Sequence, residues 1–491
     1  MARETILANG NTKPTLVWLR NDLRLDDHPA IAAADKRSGG VICVYILEET
    51  QSLRKRGGAS LWWLDKSLKA LRSDTSELGG KLVCRRGDAE TIIPALVKET
   101  DAGAVYWGRR YGKAEREIDS RIKSNLKESD VEAESFNTSL LTEPWEIKTQ
   151  SGGYYKVFTP YWRAVRSVYE APAPCARPTA LHGQGVEGER IEDWGLHPSK
   201  PDWSTGFDKM WTPGEVGAKE RLESFLDEGL RDYENMRNRP DRDGTSGLSP
   251  HLHNGEISPA QIWRAVKSKL DHGFKQDASA WSFLSEIAWR EFSYVLLYYN
   301  PEMGWENYDR KFDAMPWKKD TSALEAWQKG QTGYPIVDAG MRQLWETGWM
   351  HNRVRMIVAS FLTKHLMVHW RDGEDWFWDT LVDADPASNA AGWQWTAGSG
   401  ADASPYFRVF NPITQGEKFD ESGAYVRRWC PELADLPDKV LHSPWTASRE
   451  VLEKANIKLG KTYPHPMIDH SEGRARALEA WEKLKSKQDA A

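Results

Sequence analysis

Five short apolar runs fall within the first 140 residues of the chain: Thr15–Leu19, Val41–Ile46, Leu82–Cys84, Ala104–Trp107 and Val131–Phe136. Each is bounded by polar residues or glycine, as buried strands are. Between them the period changes to that of a helix. Leu64, Leu68 and Leu71 stand at i, i+4 and i+7, and Ile92 and Leu96 mark a second amphipathic stretch. Strands alternating with helices give parallel βαβ units, so residues 1–140 are predicted to form an α/β domain with a doubly wound parallel sheet. Neither a dinucleotide fingerprint nor a P-loop is present there, so any cofactor in this domain binds outside the usual phosphate motifs.

Residues 141–205 read as an irregular connector, broken by Ser151-Gly-Gly, Ala171-Pro-Ala-Pro and Gly183-Gln-Gly. Residues 206–491 read as an all-α domain. Ser258 is placed to cap a helix with Pro259 at its first position, and Ile262, Val266 and Leu270 follow at helical spacing. Met356–Val368 and Arg474–Leu484 are also expected to be helical. Thirteen of the 25 tryptophans fall between Trp263 and Trp395, which suits either a large helical core or π surfaces for stacking and electron transfer.

Composition narrows the function. With 66 basic and 72 acidic residues the net charge is −6, so no global positive field draws the chain to nucleic acid and any such contact must be local. The four cysteines are scattered and contain no Cys-x-x-Cys pair, which fits a reducing compartment and argues against a disulfide framework or metal knuckle. No bound metal is expected. The start Met-Ala-Arg-Glu-Thr-Ile carries no apolar signal core, and no window reaches the roughly 20 apolar residues of a membrane span. A cytoplasmic, membrane-free protein is expected.

Three constellations carry chemistry. Tyr233 and Asp243-Gly-Thr-Ser-Gly-Leu-Ser249 combine small hydroxyl and glycine residues that let backbone N–H groups approach a diphosphate, although an exposed turn has the same composition. Glu286 and Trp289 share a helical face, where a desolvated carboxyl could donate to a carbonyl and an indole could stack on a base; an ordinary amphipathic helix also explains them. Asn352 and Met356 share another face, and Arg355 between them can pair with a buried carboxylate such as Asp383, although helix-surface arginines and a gap-filling methionine also explain them. Among Arg231, Arg237, Arg239 and Arg242, Arg237 is the candidate phosphate clamp, though such runs are commonly solvated faces.

The stretch Asp383-Ala-Asp-Pro-Ala-Ser-Asn-Ala-Ala-Gly-Trp-Gln-Trp395, followed by Ala-Ser-Pro-Tyr-Phe-Arg408, resembles the flavin-binding signature of the photolyase/cryptochrome family. The resemblance extends from Leu16-Val-Trp-Leu-Arg-Asn-Asp-Leu-Arg-Leu25 to Tyr463-Pro-His-Pro-Met-Ile-Asp-His470. The Gly58-Ala-Ser-Leu-Trp-Trp-Leu64 region and the short stretch after the last helical pattern are most similar to class III cyclobutane pyrimidine dimer photolyases. That family implies an all-α FAD-binding domain. Tyr233, Thr245, Ser246, Gly247, Leu248 and Ser249 would then hold the FAD diphosphate, and Arg355, Asp383, Asp385 and Asn389 would contact the cofactor. Glu286, Trp289, Asn352 and Met356 would meet the lesion, with Trp395 in the substrate cavity.

Asn352 matches photolyases acting on cyclobutane dimers, whereas (6-4) photolyases carry His there. Asn389 would face flavin N5, where plant cryptochromes place Asp; an amide cannot protonate a flavin radical, so the fully reduced state is favoured. Trp393, Trp370 and Trp317 match the family's electron-transfer triad. Glu115 could bind a methenyltetrahydrofolate antenna, with Ala114 where folate-binding relatives carry Asn. The implied partner is UV-damaged DNA, bound by a monomer that needs no obligate protein partner. The implied activity is light-driven dimer splitting by reduced FAD. A cryptochrome photoreceptor and a (6-4) photolyase are the alternatives.

Overall fold

The computed structural model describes residues 13–182, 186–403 and 407–489. The Gly183-Gln-Gly breaker, residues 404–406 of the signature and the N-terminal segment lie outside them. Five parallel strands form one sheet in the order β3-β2-β1-β4-β5: β1 (Thr15–Leu19), β2 (Val41–Glu48), β3 (Leu82–Gly87), β4 (Ala104–Gly108) and β5 (Glu132–Phe136). Helices α1 (Pro29–Asp35), α2 (Gly58–Glu77), α3 (Ala89–Thr100) and α4 (Lys113–Glu128) connect them.

Alternate residues of each strand point to opposite faces, and both faces are covered. Val17, Leu19, Cys43 and Tyr45 pack with Leu64 and Leu68 of α2. Leu16, Trp18, Ile42 and Val44 pack with Ile93 of α3 and Ile118 of α4. Each such aliphatic side chain, fully buried, contributes about 1.5–3 kcal/mol. Two strands run past their apolar runs: Leu47 pairs with Arg86 and Glu48 with Gly87, because the ladder uses backbone groups and tolerates a polar edge. The short α1 has Pro29 in its first turn and His28 Nδ1 accepting from the Ile31 N–H at 3.3 Å.

Beyond the sheet, the regular structure of the described residues is helical apart from isolated bridges. The elements that build the site are α5 (Phe158–Val168), α6 (Glu215–Ser224), α7 (Ser249–Asn254), α8 (Pro259–Asp271), α9 (Asp277–Tyr299), α10 (Asn352–Ser360), α11 (Trp370–Thr380), α12 (Ser388–Ala397) and the closing α13 (His470–Asp489). Ser258 and Gln261 form the capping box that starts α8. The helix expected over Met356–Val368 is α10 followed by a π-helical turn, Phe361–His365. The stretch expected to be an irregular connector contains α5, whose Phe158, Tyr161 and Val165 join Phe292 of α9 in one core. Leu181, Ile191 and Trp194 join the sheet's core instead.

Polar groups lock the sheet to the helices. The fully buried Arg24 donates to the carbonyls of Gly255 at 3.0 Å, Asp27 at 3.1 Å and Thr138 at 2.9 Å. Gly255, at φ +68°, follows α7, where a Cβ would stand 2.1 Å from the Asn21 carbonyl oxygen; only glycine permits that approach. The C-terminal ends of β1, β2 and β4 therefore face the helical half.

Candidate functional site

A cavity of about 300 Å³ opens among α7, α9, α10 and α12. Tyr233, Ser246, Leu248 and Ser249 line one end. Helix α10 turns Asn352 and Met356 onto its wall, α9 contributes Glu286, and α12 presents Asn389 and Trp393 at i and i+4. Phe283, Ile287, Ala359 and Leu381 supply apolar surface between these polar ends.

The carboxylates are held firmly. Asp383 pairs with Arg355 Nη2 at 2.8 Å and accepts from Ser249 Oγ at 2.6 Å, so the hydroxyl loop and the Asp383 segment meet at one carboxylate. Asp385 accepts from Tyr294 Oη at 2.6 Å and from the N–H groups of Ala387 and Ser388 at the start of α12. Burial works to raise the Asp385 carboxyl, but His253, Arg290 and Tyr294 outweigh it and hold it below the usual range. His253 is itself buried, with no hydrogen-bond partner for Nδ1 among the described residues.

Asn389 donates through Nδ2 to Glu374 Oε1 at 2.8 Å and to the Glu374 carbonyl at 3.1 Å. Those bonds take both amide hydrogens, so Asn389 offers the cavity only an acceptor. Glu374 is fixed in turn by Arg54, at 2.8 Å, and Arg371, at 2.7 Å.

Glu286 lies 2.6 Å from Arg237, which also sits over the Tyr233 ring. Burial pushes the Glu286 carboxyl up, and Arg237 opposes that shift without cancelling it. Arg353 has no carboxylate partner among the described residues: it donates to Asn238 Oδ1 at 2.7 Å, reaches the Met356 sulfur at 3.7 Å and lies over the Phe419 ring. Burial, Arg237 and Arg408 lower its pKa. The mouth of the cavity is thus locally cationic on a chain of net charge −6.

Several expected residues stand elsewhere. Trp289 does not line the cavity; it stacks on Phe158 with ring centroids 3.7 Å apart. Trp395 is also outside the wall, because two residues beyond Trp393 is about 200° around the helix. Thr245 lines a separate cavity of about 280 Å³ that shares Ser246 with the main one, and Gly247 adopts φ +60° against Arg221.

Trp317 touches His369 at 5.3 Å and His369 touches Trp370 at 5.6 Å. Trp393 touches Trp327 at 6.0 Å and packs on Gly373, in the helix that Trp370 begins. Glu115 and Ala114 line a third cavity of about 420 Å³ at the carboxyl ends of the strands, where Glu115 Oε2 accepts from the Gly112 N–H at 3.0 Å.

Sequence reading missed Arg221, His253, Arg290, Arg353 and Glu374. Arg353 and Arg290 had a signal, since they lie within the Asn352–Met356 and Glu286–Phe292 strings; Arg221, His253 and Glu374 come from separate segments that only the fold assembles. The cavity's chemistry fits FAD. The hydroxyls of Tyr233, Ser246 and Ser249 gather at one end, as a diphosphate requires, and apolar walls with the Asn389 amide acceptor stand at the other.

The family profile described as DNA photolyase matches residues 15–179, and that described as FAD binding domain of DNA photolyase matches residues 283–483. A deoxyribodipyrimidine photo-lyase of Agrobacterium fabrum is 52% identical over 476 residues, covering 96% of this chain and 98% of that protein. The crystal structure of a bacterial class III photolyase from Agrobacterium tumefaciens superposes with a TM-score of 0.94 at 50% identity, covering 98% of this chain and all of that one. Cryptochrome-1 of Arabidopsis thaliana is 36% identical over 475 residues, covering 95% of this chain and 70% of that protein. An α/β sheet locked to a helical flavin-type cavity, matched across nearly its whole length at this identity, makes the chain a member of the photolyase/cryptochrome family.

Proposed function

We propose that this chain is a deoxyribodipyrimidine photo-lyase: it binds UV-damaged DNA and splits cyclobutane pyrimidine dimers under light. The observation that carries the reading is one cavity with two kinds of wall. Hydroxyls and the Arg355–Asp383 pair at one end suit a dinucleotide, and Glu286, Asn352 and Met356 at the other suit a flipped pair of bases. Tyr233, Ser246, Ser249 and the Arg355–Asp383 pair would hold FAD in this cavity, and in its reduced form it would supply the photoexcited electron for ring opening and take that electron back once the bases separate.

The chain's residues set the conditions for that chemistry. Asn389, with its hydrogens committed to Glu374, presents an acceptor and has no acidic proton to give. Thr245, Ser246, Leu248 and Ser249, with Tyr233, hold the diphosphate end. A lesion leaves the base stack at a cost of a few kcal/mol that is least for damaged bases, so shape rather than sequence selects it. Arg237 and Arg353 meet DNA phosphates at the mouth. When a phosphate draws Arg237 away, Glu286 loses the cation that opposes its raised pKa, and its carboxyl becomes a hydrogen-bond donor to a base carbonyl. Trp317, Trp370 and Trp393 conduct electrons from the surface.

The antenna is proposed to be methenyltetrahydrofolate in the 420 Å³ cavity, where Trp305 and Trp378 offer aromatic faces and Arg54 and Lys113 offer cations. The enzyme is proposed to be monomeric and cytoplasmic; among the described residues no helix is long and apolar enough to cross a membrane, and all four cysteines are free.

Illuminating the reduced holoprotein with dimer-containing DNA tests the reading: pyrimidine absorbance is expected to rise in light and stay flat in the dark. Bound, reduced flavin without that rise would favour a cryptochrome, and repair of (6-4) products alone would favour the other alternative. Mass analysis of extracted chromophores is expected to return FAD and a folate; 8-hydroxydeazaflavin would overturn the antenna assignment only.

A further inference from the structure

A cation beside the hydroxyl loop belongs to a helix outside every motif. Arg221 lies on α6, where its Nη2 donates to the Met210 carbonyl at 3.1 Å and its guanidinium sits over the Trp211 ring. Those contacts aim it at the loop: a Cβ on Gly247 would stand 2.6 Å from Arg221 Nη1. Gly247, already at φ +60°, therefore leaves room for the guanidinium as well as shaping the turn. Arg221 forms no ion pair among the described residues. Burial lowers its pKa, and the one acidic neighbour that opposes the shift is Asp243. It lines the 280 Å³ cavity with Thr245 and Ser246, and Ser246 is shared with the main cavity.

A partly buried guanidinium without a counter-ion is costly until an anion meets it. Its planar fork of N–H groups matches two phosphate oxygens, which a lysine cannot reproduce. We propose that Arg221 supplies the positive charge for the cofactor's diphosphate, clamping it against Thr245 and Ser246 through the gap left by Gly247. The inference rests on the FAD reading above. It assigns Gly247 a second purpose: a side chain there would evict the clamp.

The test uses the full-length holoprotein. Release of FAD after dilution is followed by the rise in free-flavin fluorescence, at several salt concentrations, for wild type, Arg221→Gln, Arg221→Lys and Gly247→Ala. Arg221→Gln is expected to release FAD roughly 10- to 100-fold faster, the worth of a charge-assisted bond, with Arg221→Lys in between. Wild-type release should accelerate with salt, while that of Arg221→Gln should respond weakly.

Exchange with riboflavin, which has no phosphate, separates a charge role from a structural one: its affinity should be the same in wild type and Arg221→Gln. FAD release from a folded Arg221→Gln protein at the wild-type rate and with wild-type salt dependence would overturn the inference and leave the flavin reading standing. Equal losses for FAD and riboflavin would overturn it too, and purification of the wild type without flavin would overturn both readings.

Discussion

Glu286 and Arg237 are a pair whose value depends on what else is bound. Held 2.6 Å apart, they neutralise one another, while burial biases the carboxyl toward its protonated form. Glu286→Gln keeps a donor at the same place and should retain most repair activity, whereas Glu286→Ala should lower the repair yield several-fold. In wild type the yield should decline as pH rises above the raised carboxyl pKa, because the neutral form is the donor, and Glu286→Gln should flatten that profile. Repair yield per absorbed photon across pH is the measurement. Asn389→Asp makes a different kind of change: it places a second carboxyl 2.8 Å from Glu374, whose negative charge favours the protonated form of the new acid. That proton is available to the flavin edge, so photoreduction of the Asn389→Asp protein should stall at one electron. Long-wavelength absorbance that persists under light would report it.

At the scale of elements, legibility followed the physical origin of each signal. The five strands and α2 were readable because a buried sheet writes apolar runs and its covering helix writes a 3.6-residue period. Helix α5 was hidden by the glycines and prolines around it, though Phe158, Tyr161 and Val165 lie at i, i+3 and i+7. Helix α6 was unreadable as a functional element because Arg221 acquires its purpose only when Gly247 arrives from another segment. Trp289 shows the converse: its motif was plain, but its stacking on Phe158 was not. The contact that seats the Leu141 segment on α9 is a testable case. Buried Glu291 accepts from the Leu141 N–H at 2.6 Å, and burial, opposed by Arg290 and these N–H groups, pushes its carboxyl up to about 7. The folded protein then binds more protons than the unfolded chain between the ordinary Glu pKa, 4.5, and 7. Stability should therefore fall as pH rises through that window, by on the order of 3 kcal/mol from this group. Glu291→Gln should remove that part of the slope in denaturant titrations across the window.

For the whole molecule, the question is how a chain of net charge −6 holds a polyanion. The long-range field is unfavourable, so affinity must come from Arg237, Arg353 and the exposed Arg408 gathered at one mouth. Arg353 is the sharpest of these, since it has no carboxylate to leave behind when a phosphate arrives. Each phosphate neutralised contributes about 0.9 to the slope of log affinity against log salt on duplex DNA. Arg353→Ala should therefore weaken binding of lesion-containing and lesion-free DNA by similar factors and reduce the salt slope by about one. Arg237→Ala should take away a comparable slope and also disturb lesion preference, because it leaves the Glu286 carboxyl without its cation. Titrations of both variants at several salt concentrations, with and without a dimer, separate the two arginines: a lesion-selective loss in Arg353→Ala, or an unchanged slope, would show that Arg353 serves the cavity wall and not the phosphate backbone.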